Sequence, residues 1–190
     1  MKTTSIMIVG VGGQGTLLAS RILGNAVISR GYDVKVSEVH GMSQRGGSVV
    51  TYVRFGEKVH SPIVEIGEAD IILAFERLEA YRYLPYLKKG GKIIMNAQQI
   101  DPMPVIIGAA KYPEGITEKI DASADLTEVD AQKIAEELGN SRVVNVVLIG
   151  VLAKSTDIPY ETWRGVIAET VPPKALEVNL KAFDKGYFGA

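Results

Sequence analysis

Residues 10–15 read Gly10-Val11-Gly12-Gly13-Gln14-Gly15, a G-x-G-x-x-G pattern set between an apolar run and a helical periodicity. No other stretch restricts the fold as much. Ser5-Ile6-Met7-Ile8-Val9 is short, apolar and β-branched, so it reads as a strand covered on both faces, as in a parallel sheet. Beyond the glycines, Leu17, Ala19, Ile22, Leu23, Ala26 and Val27 recur at helical spacing from Thr16 to Ser29, and Gly31 marks the stop. Asp33 to Val39 is a second strand, and strand, helix, strand predicts a right-handed βαβ unit. Glycines at its first turn let the backbone approach a ligand, and free N–H groups at the helix start attract phosphate. The same glycines would also serve a turn whose only purpose is close strand–helix packing.

Further along, Ser48 to Phe55 and Lys58 to Ser61 flank Gly56-Glu57 and predict a β-hairpin. Ala69 to Phe75 repeats the buried-strand pattern, and Glu76 to Lys89 predicts a helix bent or restarted at Pro85. Lys92 to Asn96 and Val105 to Gly108 are two more strand candidates. The last third reads as helices. Thr127-Glu128-Val129-Asp130 fits a capping box ahead of Ala131, Ile134, Ala135 and Leu138, with Gly139 at the end. Arg142 to Lys154 is apolar and too long for a strand, which predicts a buried helix. Pro159 opens a helix carrying Trp163, Val166, Ile167 and Thr170; Pro172-Pro173 breaks it, and a final helix carries Leu176, Leu180 and Phe183. The expectation is one α/β domain over residues 1–190, a Rossmann-like, mostly parallel sheet with an inserted β-hairpin and a helical C-terminal third.

Composition narrows function. Lys+Arg 21 against Asp+Glu 22 gives a net charge of -1, so no global positive field draws the chain onto nucleic acid or anionic membrane. Cysteine is absent, which excludes thiolate-held iron–sulfur clusters, disulfides and a thiol nucleophile on this chain. His40 and His60 are the only histidines, so no zinc or other metal site is expected. The first apolar run leads into glycines rather than a cleavage site, and no run approaches the roughly 20 apolar residues of a membrane span. A cytoplasmic protein without membrane or nucleic-acid partners is expected.

Glu38 stands at the end of the second strand, where dinucleotide folds hold a ribose. Gln14 occupies a position where a small or apolar residue is usual; its amide would bond either a ligand or a neighbouring loop. Beside the first loop runs Ser37-Glu38-Val39-His40-Gly41-Met42-Ser43-Gln44-Arg45-Gly46-Gly47-Ser48. Arg45 offers a rigid fork for a carboxylate or phosphate, and Gly46-Gly47 permits close backbone approach. A solvated loop with Arg45 in a surface ion pair is the bland alternative. The candidate ligand-binding residues are therefore Gly10, Gly12, Gly13, Gln14 and Gly15, with Ser43, Gln44, Arg45, Gly46 and Gly47 facing them; no residue is singled out as catalytic.

Other residues carry paired readings. His40 is either an acid–base or substrate contact or a hydrogen-bonded structural residue, and His60 reads as a surface residue. Asn145, inside an apolar run, needs partners, either a glycine-loop carbonyl or water. Trp163 reads as a core or interface anchor, and Tyr81, Tyr83 and Tyr86 as a partner-binding face or the cover of a helix on the sheet. Lys88, Lys89 and Lys92 around Gly90-Gly91 read as a solvated turn.

The two loops together, Gly-x-Gly-Gly-Gln-Gly and Glu-Val-His-Gly-Met-Ser-Gln-Arg-Gly-Gly-Ser-Val, resemble the gamma-type subunit of 2-oxoacid:ferredoxin oxidoreductases. The His-Gly-Met-Ser-Gln form is similar to the indolepyruvate branch, whose corresponding piece is its small beta subunit. Relatives acting on pyruvate or 2-oxoglutarate usually carry Tyr-Gly or Phe-Gly before Arg-Gly-Gly. The resemblance extends to Ala69-Asp70, Asn145 and Asn179-Leu180-Lys181-Ala182-Phe183. It implies oxidative decarboxylation of a 2-oxo acid on thiamine diphosphate, electrons passed through iron–sulfur clusters to ferredoxin, and acyl transfer to coenzyme A. It further implies that a large alpha subunit carries the thiamine diphosphate and the clusters, with coenzyme A at or near the interface with this chain. A free-standing NAD(P)- or FAD-binding oxidoreductase is the alternative that the first glycine loop alone would allow.

Overall fold

The computed structural model describes residues 3–41 and 46–189. Strand β1 (Thr4–Val11) leads through the first glycine loop into α1 (Thr16–Ser29), and β2 (Asp33–His40) follows. Next come β3 (Ser48–Gly56), β4 (Ala69–Ala74), α2 (Arg77–Tyr83) and β5 (Leu87–Asn96). Two short helices, α3 (Met103–Ile106) and α4 (Ile116–Asp121), precede β6 (Asp125–Val129). The chain ends in α5 (Ala131–Glu137), α6 (Val144–Ala153), α7 (Tyr160–Thr170) and α8 (Leu176–Gly189). The six strands lie in the order β2-β3-β1-β4-β5-β6. β1, β4, β5 and β6 run parallel, whereas β3 lies antiparallel between β1 and β2.

The period of two along each strand explains the layering. Ile6, Ile8, Leu73 and Ile94 face a core shared with α1, α6, α7 and α8, while Met7, Val9, Ile72, Ile93 and Met95 face a second core against α2 and α4. All ten residues of α6 are buried, as its unbroken apolar sequence predicts. Among the described residues, no helix is long and apolar enough to cross a membrane.

Several expectations are corrected. β1 and β2 are parallel, but β3 lies between them and pairs with both, so the two strands of the βαβ unit do not pair with each other. The predicted hairpin is absent: both edges of β3 are already taken by β1 and β2, and Lys58–Ser61 forms no strand. That segment is held otherwise, with the Val59 N–H donating to Asp33 Oδ2 at 2.8 Å and Arg54 Nη1 to the Ile63 carbonyl at 2.7 Å. The helix after β4 stops at Tyr83, because Pro85 starts a 3-10 turn over Leu84–Tyr86 and the chain is extended from Leu87. Lys88 to Lys92 is therefore strand, not turn; Gly90, with φ of +78°, accompanies a shift of the β4–β5 register. Val105–Gly108 is a helical turn and its exit, since Pro102 and Pro104 favour a helix start over a sheet ladder. Thr127 does not cap α5; it pairs with Ile94 in the sheet, and Asp130 is the cap, its Oδ1 accepting the Lys133 N–H at 2.9 Å.

Candidate functional site

The carboxyl ends of β1, β4 and β5 converge on the first glycine loop. Two backbone bonds join it to the second loop: the Gly12 N–H donates to the Gly47 carbonyl at 2.8 Å, and the Gly46 N–H donates to the Gly12 carbonyl at 3.2 Å. Of the second loop, Met42, Ser43, Gln44 and Arg45 lie outside the described residues, so only Gly46 and Gly47 can be placed against the first.

Each residue of the first loop has a distinct physical task. Gly10 is buried at the end of β1; a Cβ there would lie 2.9 Å from Gln14 Oε1 and 3.0 Å from the Phe75 Cβ. Gln14 fills that space. Its Oε1 accepts from the Val11 N–H at 2.7 Å, and its Nε2 donates to the Phe75 carbonyl and to Gln98 Oε1, both at 3.0 Å. Gln14 therefore ties the loop to its neighbours, the second of the two purposes its sequence position allowed. Gly13 and Gly15 have φ of +103° and +84°, values that favour glycine. Asn145 Nδ2 donates to the Gly15 carbonyl at 3.3 Å, so the amide from α6 reaches the glycine loop. The N–H groups of Gly13, Gly15, Thr16 and Leu17 find no acceptor among the described residues, leaving four donors at the start of α1.

Three cavities open around these loops. One of about 430 Å³ is lined by Gly12, Gly13, Gly15, Leu17, Glu38 and His40. Glu38 is exposed and accepts from Thr51 Oγ1 at 3.3 Å, while His40 Nδ1 lies 3.2 Å from the Gly41 carbonyl. A second, about 390 Å³, lies on the opposite side of the loop between Gly13, Gln98, Ser141, Arg142 and Asn145. The third, about 440 Å³, borders Gly46, Gly47, Glu76, Glu79, Leu78 and Met103.

Two buried glutamates lie beside the second loop, and sequence reading missed both. Glu76 caps α2, its Oε2 accepting the Glu79 N–H at 2.9 Å, and its Oε1 accepts from the Ile100 N–H at 3.2 Å and from the Tyr112 hydroxyl. Burial first, and then that bond to a carboxylate, push the Tyr112 phenol above its ordinary pKa. Glu79 accepts from Ser48 Oγ, at the foot of the second loop, and from Arg82 Nε at 3.0 Å. The signal was present: glutamates three apart after a strand fit a helix N-terminus whose side chains satisfy backbone donors. Gln98 and Arg142 were also missed.

The remaining candidates lie elsewhere. Asp70 accepts the Ser5 N–H at 2.8 Å and pairs with Lys88, so it fastens β1 to β4. Asn179 Nδ2, in α8, donates at 2.7 Å to the carbonyl of Ala175, which immediately precedes that helix. Trp163 is fully buried and stacks on Phe183, which settles it as core. Tyr83 and Tyr86 pack against the second core; Tyr81 is partly exposed, with Lys119 over its ring. His60 is exposed. No group of three or more metal-ligating side chains exists among the described residues.

With this geometry in view, comparison with known proteins is decisive. The family model described as pyruvate ferredoxin/flavodoxin oxidoreductase matches residues 5–188. The chain belongs to that family. Within the pyruvate ferredoxin/flavodoxin oxidoreductase family it is 50% identical over 192 aligned positions to an indolepyruvate oxidoreductase subunit IorB from Pyrococcus horikoshii, covering 98% of this chain and 95% of that one. A pyruvate oxidoreductase subunit PORC from Thermotoga maritima shares the fold, with a TM-score of 0.76 and 22% identity over 98% of this chain and 96% of that one. So does a chain of 2-oxoglutarate:ferredoxin oxidoreductase from Magnetococcus marinus, whose structure holds 2-oxoglutarate, coenzyme A and succinyl-CoA. There the TM-score is 0.74 at 21% identity, and this chain covers 30% of that longer one while 98% of it is matched. The chain is thus a subunit of a ferredoxin oxidoreductase complex, with the expected α/β fold.

Proposed function

We propose that this chain acts as one domain, the small subunit of a cytoplasmic complex that oxidises indolepyruvate and related aryl pyruvates. The 2-oxo acid, coenzyme A and two oxidised ferredoxins give the aryl-acetyl-CoA, carbon dioxide, a proton and two reduced ferredoxins. The observation that carries this reading is the half-identity to an IorB subunit along nearly the whole of both chains. Thiamine diphosphate, when bound, supplies the carbanion chemistry that releases carbon dioxide, and iron–sulfur clusters carry the electrons. The clusters belong to a large partner subunit, because a chain without cysteine has no thiolate for one, and the thiamine diphosphate is assigned to the same partner.

The work left to this chain is binding and orientation. The N–H groups of Gly13, Gly15, Thr16 and Leu17, unpaired among the described residues, suit an anion; Gly46 and Gly47 adjoin them through Gly12, and Ser43, Gln44 and Arg45, next to those glycines in sequence, are assigned to the same site. The anion is a phosphate of coenzyme A or the carboxylate of the 2-oxo acid. Gly10 and Gln14 serve this site from below by holding the loop in shape. Catalytic atoms are supplied from the partner's side of the interface.

Anaerobic affinity purification of the tagged chain from its host tests the reading. The expected result is a brown, cysteine-rich larger partner and reduction of an electron acceptor that depends on both indolepyruvate and coenzyme A. A colourless chain that purifies alone overturns it. In the assembled enzyme, Arg45→Ala is expected to raise the KM for coenzyme A or the 2-oxo acid about tenfold, the usual loss for a charge-assisted contact. Unchanged dependence on both would remove Arg45 from the site.

A further inference from the structure

At the end of the sheet opposite the glycine loops, α1 and α6 finish side by side over the amino ends of β1 and β4. A cavity of about 90 Å³ lies there. We infer that it binds a branched-chain α-amino acid, Arg30 taking the carboxylate, Asp157 the ammonium group and the apolar floor the hydrocarbon tail. That floor is Ile6, Phe55, Ile71 and Ile158, all buried, and the Tyr32 ring closes one side with its centroid 6.0 Å from that of Phe55. The rim is polar. Arg30 caps the end of α1, and Asp157 stands in the loop just beyond α6. That loop is fixed in place, since the Ser155 N–H donates to the Leu152 carbonyl at 2.9 Å and Thr156 Oγ1 to the Ala153 carbonyl at 2.8 Å.

The charges at this rim are free. Arg30 and Asp157 are exposed, and the side chain of neither has a hydrogen-bond or ion-pair partner among the described residues. Elsewhere a guanidinium beside a carboxylate is paired with it, Arg77 with Glu128 at 2.9 Å and Arg164 with Asp184 at 2.6 Å. An unpaired cation and an unpaired anion over one apolar floor match a zwitterion that carries a hydrocarbon tail. The guanidinium fork suits its carboxylate, and Asp157, beside the carbonyl end of α6, suits its ammonium group. Size selects the tail. A dry apolar cavity of roughly 150 Å³ holds a benzene ring, so this smaller one takes a branched aliphatic group and not an indole. The β1 strand puts roughly 20 Å between this cavity and the glycine loop, so the amino acid is an effector and not a substrate.

This assignment goes beyond the proposed function and does not rest on it. The full chain is titrated calorimetrically with L-leucine and with two analogues that each lack one charge, 3-methylbutylamine and 4-methylpentanoate. Leucine is expected to bind with a Kd of about 1 mM or tighter, and each analogue about tenfold more weakly. Alanine should lose at least tenfold as well, at about fourfold for each methylene left out. Arg30→Gln should weaken leucine about tenfold and leave the amine unchanged, whereas Asp157→Asn should weaken leucine and leave 4-methylpentanoate unchanged. Loss of fold would weaken all three ligands together, so this crossover reads the two contacts separately. Both side chains are exposed and hold nothing in place among the described residues, so the variants keep the fold. No leucine binding by the wild type at about 10 mM overturns the site, as does a loss under about threefold in either variant. Equal weakening of all three ligands in either variant, or tryptophan bound more tightly than leucine, overturns it too. Leucine binding with the crossover stands whether or not the assembled complex oxidises indolepyruvate.

Discussion

A methyl group added at Gly15 would lie 2.6 Å from Asn145 Nδ2, and the backbone there, at φ of +84°, disfavours any L residue. Gly15→Ala therefore carries two penalties, about 1–2 kcal/mol for the left-handed conformation and the displacement of a buried amide. We predict a fall in the thermal midpoint of roughly 3–8 °C. Asn145→Ala removes the obstacle along with its bond to the Gly15 carbonyl. The double variant should therefore be less destabilised than the sum of the two single ones, a coupling that a double-mutant cycle of unfolding free energies measures. Strict additivity would mean that the amide does not buttress the loop. Sequence made half of this legible. The spacing of Gly10, Gly12 and Gly15 between a strand and a helix identifies a tight turn, because only glycine tolerates it. Their partners are 130 positions away for Asn145 and 84 for Gln98, counted from Gly15 and Gln14. An isolated amide in an apolar run states that it needs a partner without naming one.

Between α6 and α8 the backbones touch. A Cβ on Gly186 would collide with the Val147 carbonyl, and one on Gly150 with the Phe183 carbonyl. Neither neighbour is the end of a flexible side chain, so Gly186→Ala must separate two helices that bury much of the larger core. A loss of about 3 kcal/mol or more is expected, at the upper end for overpacking, read as a lower midpoint and a weakened near-UV signal from Trp163. Gly165 in α7 is the control. A Cβ there meets nothing within 4 Å, its φ is helical, and Gly165→Ala should stabilise by about 0.5–1 kcal/mol. If both variants moved the midpoint alike, close backbone approach would not be what Gly186 provides. At this scale, elements that specify themselves were legible. The apolar length of α6, and Thr16–Ser29 between its glycines, contain their own boundaries. Elements decided by what lies beside them were not. Thr127 to Asp130 matches a helix cap as a string, but β5 offers an open edge and draws Thr127 and Glu128 into β6. Val105 to Ile107 is β-branched, yet no open edge receives it, and two prolines turn it into α3.

For the molecule as a whole, the insertion of β3 changes what the glycine loop can bind. In a dinucleotide fold the acidic residue that holds the ribose ends the strand next to β1. Here β3 takes that place, its Val49 paired with Gly10 on one side and His40 on the other, so Glu38 sits two strand spacings from β1. That places it roughly 5 Å farther out than the fold of a dinucleotide enzyme requires. Gln14, spent on Val11, Phe75 and Gln98, has no amide left for a nicotinamide dinucleotide. Sequence order hid this arrangement, because strand, helix, strand reads the same whether or not a later strand slips between the two. The consequence is a negative result with a clear readout. Titrating the full chain with NADH, or with FAD, should leave cofactor fluorescence unchanged into the high micromolar range, where dinucleotide enzymes are already saturated. A dissociation constant near about 1 μM, some 8 kcal/mol of binding, would require the ribose to reach Glu38 across β3. It would return the chain to the free-standing oxidoreductases that its first loop alone suggests. Silence toward both dinucleotides would show that the glycine turn lost its hold on a ribose once the ribose-binding strand had moved away.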